Sequence, residues 1–103
     1  MRDPKVLLEV KEILARLSDL APGHAVEVRI PPYAAIQCVA GPKHTRGTPP
    51  NVVEMDAPTL KALISQEIDW KGAISSGAIH ASGERADLSA LFAELARTIR
   101  MTP

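Results

Sequence analysis

Two adjacent prolines split the most regular stretch of this chain into a pair of strands. From His24 to Ile30, Val26, Val28 and Ile30 alternate with Glu27 and Arg29, the period-two pattern of a half-buried strand. Pro31 and Pro32 cannot donate to a ladder, so the strand ends there and the chain turns. Tyr33 to Ala40 then reads as a second strand, with Ala34, Ile36 and Cys38 on one face and Gln37 on the other. A connection this short makes the two strands antiparallel neighbours. A hairpin with one apolar face needs a cover, and the flanking segments supply helices.

Asp3 and Pro4 form an N-cap and first-turn pair. Val6, Val10, Ile13, Leu17 and Leu20 follow at helical spacing, widened by Leu7 and Leu14, and Pro22-Gly23 ends the segment. The breadth of this stripe also leaves room for a partner subunit, so a homodimer through the first helix is one expectation. Val52 to Met55 is a third strand, and Asp56 caps a helix through Leu60, Leu63 and Ile64. Asp69 caps a very short helix through Trp70, Ala73 and Ile74, and Gly77 stands where a left-handed terminator belongs. Ala78 to Ser82 is a fourth strand. Asp87 opens a last helix carrying Leu88, Leu91, Phe92, Leu95 and Ile99 on one face. The order predicts an α+β fold, a largely antiparallel sheet of four or five strands with helices covering one face. The outward face then carries Glu27, Arg29, Gln37, Glu54 and His80.

The 103 residues suit one domain spanning 1–103. A chain of this length buries roughly two-thirds of its unfolded surface. Only 3% of the residues are aromatic, so the core is aliphatic. Twelve basic and twelve acidic residues cancel, and Trp70, Tyr33 and Phe92 make no stacking platform; no nucleic-acid partner is expected. The single cysteine, Cys38, cannot form an internal disulfide. Met1 to Pro4 open no secretion signal, because the apolar run Val6–Leu8 stops at Glu9, and no stretch reaches membrane-spanning length. The expected setting is cytoplasmic, without integral membrane association.

The stretch Gly41 to Asp56 divides the chain and holds the most polar loop. Lys43, His44, Thr45, Arg46 and Asn51 gather there between two strands, and cations beside glycine-freed amides suit a phosphate or carboxylate headgroup. The other reading is a solvated structural loop whose path Gly47 and Pro49-Pro50 determine. Arg85, between Glu84 and Asp87, is either a salt-bridge partner or a second ligand contact. His24, His44, His80 and Cys38 are too scattered for a structural metal site, and no metal or cofactor is expected. No Ser or Cys has an evident base beside it, so catalysis is not expected from these residues. Leu63, Leu88, Leu91, Phe92 and Leu95 are core residues or, equally, the lining of an apolar ligand cavity, since both use the same aliphatic chemistry.

From Asp56 onward the pattern resembles a type-2 sterol carrier protein domain, the non-specific lipid-transfer fold. The acidic helix start Asp56, Leu60 and Leu63, then Trp70-Ala73-Ile74, and the Gly77-to-Gly83 strand carry that likeness. PPYAAIQCVAGPKHTRGTPPNVVE and SGERADLSALF resemble more closely a small bacterial sterol-carrier-like branch, over His24 to Leu95. The family pattern often has a glycine between its two middle helices, where this chain has Gln66 and Glu67. The resemblance implies a five-stranded sheet with an apolar cavity beneath its helices, and a short fifth strand at Arg85 to Leu88 would complete the count. It also implies a small binding module for a hydrophobic or amphipathic, lipid-like ligand. Lys43, His44, Arg46, Asn51 and Arg85 would then meet the polar end, and Leu63, Leu88, Leu91, Phe92 and Leu95 the apolar part. Two other roles follow from the same resemblance. One is an accessory or interaction domain without its own ligand; the other is part of a thiol-cofactor system, as in mycothiol-dependent isomerases.

Overall fold

The computed structural model describes residues 2–41 and 51–101. Asp3 caps the first helix, α1 (Pro4–Leu20), its carboxylate accepting the Lys5 N–H at 2.9 Å. Val10, Leu14 and Leu17 are buried along one stripe, while Leu8 stands 69% exposed behind it. The hairpin follows as β1 (Val26–Ile30) and β2 (Ala34–Cys38), with Val28 opposite Ile36 and Glu27 opposite Gln37. The Tyr33 N–H closes the turn on the Ile30 carbonyl at 2.8 Å.

The third strand, β3 (Asn51–Glu54), lies on the other side of β1 and runs parallel to it, Val26 level with Asn51 and Val28 with Val53. This pairing was not legible in the sequence. β2 ends where β1 begins, and β3 starts at that same end. β4 (His80–Ser82) adds antiparallel to β3, giving the order β2-β1-β3-β4. The segment 85–88 is not a strand, so the described sheet has four strands, mostly antiparallel.

Alternation decides the two faces. Val26, Val28, Ile30, Cys38 and Val53 are fully buried, with Met55 and Ile79 nearly so. Ile36, expected beside them, is half-buried because β2 is an edge strand. The opposite face carries Glu27, Arg29, Gln37 and Glu54, partly exposed, and His80, exposed. Arg29 Nε donates to Glu27 Oε2 there.

Asp56 caps α2 (Ala57–Ile64) by accepting the Thr59 N–H at 2.8 Å. Asp69 caps α3 (Trp70–Ser76) by accepting the Gly72 N–H at 2.7 Å, and Gly77 ends it at φ +82°. α4 (Ser89–Met101) begins two residues later than Asp87, whose carboxylate accepts the Ser89 N–H at 3.0 Å. α4 packs against α1 and α2, and α1 lies against β2. Leu14, Leu17, Leu60 and Leu95, all fully or almost fully buried, fill the layer between helices and sheet. Leu91, expected with them, is only half-buried.

Candidate functional site

The connection from α2 to α3 and the adjoining face of α4 enclose a groove of about 490 Å³. Its shape starts with how α2 ends. The Gln66 and Glu67 N–H groups turn back onto the Leu63 and Ala62 carbonyls at 3.2 and 3.0 Å, which satisfies two of the helix's last acceptors. Gln66 takes a left-handed φ of +63° to do so. Glycine adopts this conformation at less cost than a residue with a side chain. The turned chain then presents Ile68, exposed at 36%, and Trp70, half-buried at the first turn of α3.

Across the groove, Phe92, Ala93 and Ala96 lie on α4. Trp70 and Phe92 pack with ring centroids 5.4 Å apart and planes tilted by 40°, within the usual range for an aromatic pair. Ala93 and Ala96 are small, and that is what leaves space above the rings. Leu63 contributes to the floor, while Gln66, Glu67, Asp69, Lys71 and Ser89 form a polar rim. Arg100 Nη1 donates to Gln66 Oε1 along this rim. An apolar floor with a few polar groups at its edge suits a small hydrophobic or amphipathic molecule. A second groove of about 370 Å³ lies beside Val6, Pro58 and Lys61, and a third of about 520 Å³ follows β4. Neither is lined by Trp, Tyr or Phe.

The residues singled out from the sequence fall into three places. Leu63 and Phe92 line the groove, although only 6% and 3% of their surfaces remain open. Leu88 and Leu95 belong to the core, and Leu91 packs at its margin. Asn51 and Arg85 meet near the start of β3. Asn51 is buried, its Nδ2 donating to the Ala25 carbonyl at 2.9 Å and its Oδ1 accepting the Arg85 N–H at 3.0 Å. The Arg85 side chain runs against Gly41, where an added Cβ would stand 3.5 Å from its Cδ and Cζ. Lys43, His44 and Arg46 lie outside the described residues.

Nearby, the chain before the loop is tightly held. Val39 adopts φ +69°, unusual for a β-branched residue, with its N–H on the Ala21 carbonyl at 2.7 Å and its own carbonyl on the Ala25 N–H at 3.0 Å. Gly23 is needed opposite, since a Cβ there would lie 2.2 Å from the Val39 oxygen.

Sequence reasoning missed Gln66, Ile68, Ala93 and Ala96, and took Trp70 only as a helix residue. The available signal was an isolated Ile-Asp-Trp run between two short helices, too brief to bury both large side chains. Cys38 is not poised as a nucleophile. Cys38 is wholly buried, and burial pushes its thiol up to about 11. Asp87 is held below the usual carboxylate value by its hydrogen bonds with Ser89. Among the described residues, no group of His, Cys, Asp or Glu could hold a metal ion, and no helix is long and apolar enough to cross a membrane.

Comparison with known proteins agrees with the fold. A solved structure described as "UbiJ-SCP2 Ubiquinone synthesis protein" superposes with a TM-score of 0.51 at 19% identity, covering 99% of this chain and 82% of that one. No curated protein matches the sequence. The matched family spans almost the whole chain: residues 3–93 fit the family described as bacterial SCP ortholog, and the chain belongs to it.

Proposed function

We propose that this protein is a small binding module that takes a hydrophobic or amphipathic, lipid-like ligand in the groove between the α2–α3 connection and α4. The observation that carries this reading is the pairing of Trp70 and Phe92 at the wall of a groove of about 490 Å³ kept open by Ala93 and Ala96. Exposed Ile68 at its edge extends the apolar surface. Membership of a sterol-carrier-like family supports the same class of ligand. The interior layer, by contrast, is filled by its own leucines and valines, so the ligand is held at the surface of the helical layer. Burial of aliphatic or ring surface on these residues supplies the affinity, at about 25 cal/mol per Å² of apolar area removed from water. Partial cover rather than full enclosure suits a carrier that must also release its cargo.

Trp70 is the only tryptophan and forms part of the groove, so its emission reports occupancy directly. Titration with lauric acid, farnesol and a soluble sterol should give a saturable change in Trp70 emission with at least one of them, at micromolar concentration. A flat response to all three rejects the groove as a lipid site.

A further inference from the structure

Gln66 combines three features. It is a non-glycine residue at φ +63°, a backbone region that costs a side-chain-bearing residue more than glycine. Gln66 is one of the residues that line the groove. Its carboxamide is also oriented by Arg100, whose Nη1 approaches one of the two amide heavy atoms. Arginine has only donors, so that atom must be the oxygen, and the amide nitrogen is turned away from the guanidinium. The amide nitrogen of this exposed side chain carries two N–H groups that can donate to a ligand.

We propose that Gln66 is the polar recognition residue of the groove, donating through Nε2 to an acceptor oxygen on an otherwise apolar ligand. The inference rests on the lipid-like reading of the same groove and narrows it. The ligand carries a carbonyl, ester or similar acceptor close to its apolar part. Leu63, Trp70 and Phe92 contact the apolar part, and Gln66 sets which end of the ligand lies at the α2–α3 turn. Glycine would make the turn more easily but would present no donor. Glutamate would keep the Arg100 contact but, once ionised, would only accept.

Two probes differing by one carbonyl test this: pyrene and 1-acetylpyrene, both read by quenching of Trp70. The parent protein should prefer 1-acetylpyrene relative to the Gln66→Gly and Gln66→Glu variants. That preference should fall by about fivefold in each, the size of one ordinary hydrogen bond, while pyrene affinity stays level. Gln66→Gly should melt no lower than the parent, since glycine suits the turn, so weaker binding cannot be blamed on unfolding. An unchanged preference in Gln66→Gly, with pyrene bound by every variant, overturns the role of Gln66 and leaves the groove as a ligand site. Failure of both probes to bind the parent removes the groove reading itself, and the inference with it.

Discussion

The Asn51 side chain accepts the Arg85 backbone N–H at 3.0 Å across 34 residues of sequence. The same amide donates to the Ala25 carbonyl at 2.9 Å, so one buried side chain ties the entry to β1, the first residue of β3 and the turn after β4. Each partner fixes one end of the amide: a carbonyl needs the nitrogen, an N–H needs the oxygen.

Asn51→Ala should therefore strip the buried Ala25 carbonyl and the part-buried Arg85 N–H of their partners. The buried carbonyl alone is expected to cost about 1–3 kcal/mol, and the loss should appear as a lower urea midpoint with an unchanged slope. Asn51→Asp should be destabilising too, because a carboxylate would face the Ala25 carbonyl with no proton to donate. Wild-type stability in both variants would mean the amide is not the tie.

Leu95 and Leu91 lie one turn apart on α4 but differ in depth, the first fully buried and the second half-buried. Leu95→Ala should cost about 2–5 kcal/mol in chemical denaturation, and Leu91→Ala less than half as much. Equal losses would contradict the packing of α4.

Cys38 links stability to alkaline pH. Its thiol is pushed from 9.0 up to about 11 by burial, so the folded state holds its proton more tightly than the unfolded chain does. The contribution is fully present below pH 9 and is lost as pH rises towards 11. The loss should run at about 1.4 kcal/mol per pH unit in that window. Comparing the parent with Cys38→Val between pH 8 and 11 separates the thiol's contribution from those of the lysines and tyrosine. Parallel stability curves would remove it. A thiol reagent at pH 8 should likewise label the unfolded protein far faster than the native one.

Asp69 caps α3 and so holds the turn that places Trp70. Asp69→Ala should cost about 1 kcal/mol, the usual value of a lost N-cap, and should red-shift Trp70 emission as the ring becomes wetter. Unshifted emission would show that the ring is placed by Phe92 alone.

Ala93 is exposed on α4 and lines the groove. Ala93→Phe should occupy that space, abolish the lipid-induced change in Trp70 emission and leave thermal stability within about 0.5 kcal/mol, as surface substitutions generally do. Undiminished binding would move the ligand elsewhere.

The amino-acid order alone determined every element whose signals lie within a few residues of one another. Asp3-Pro4, Asp56 and Asp69 mark helix starts because a cap acts on N–H groups two or three positions away. Val26, Val28 and Ile30 define a buried strand face because side-chain direction alternates with every residue, and Pro31-Pro32 ends it for want of donors. The last helix was read two residues early because Asp87 is an acceptor at its start without being helical itself.

What remained was decided by contacts between distant parts of the chain. β3 lies parallel to β1, a choice made by the end at which the chain re-enters the sheet, which no local residue encodes. Asn51 was read as either a ligand contact or part of a structural loop, because an Asn in a polar loop looks the same whether it faces a ligand, solvent or, as here, Ala25 and Arg85. The groove depends on tertiary placement still more. Ala93 and Ala96 are ordinary helix formers in isolation, and they become a cleft only because Gln66 turns left-handed and sets Ile68 and Trp70 opposite them. A void is made by what packing leaves unfilled, and sequence spacing records only what each element can fill.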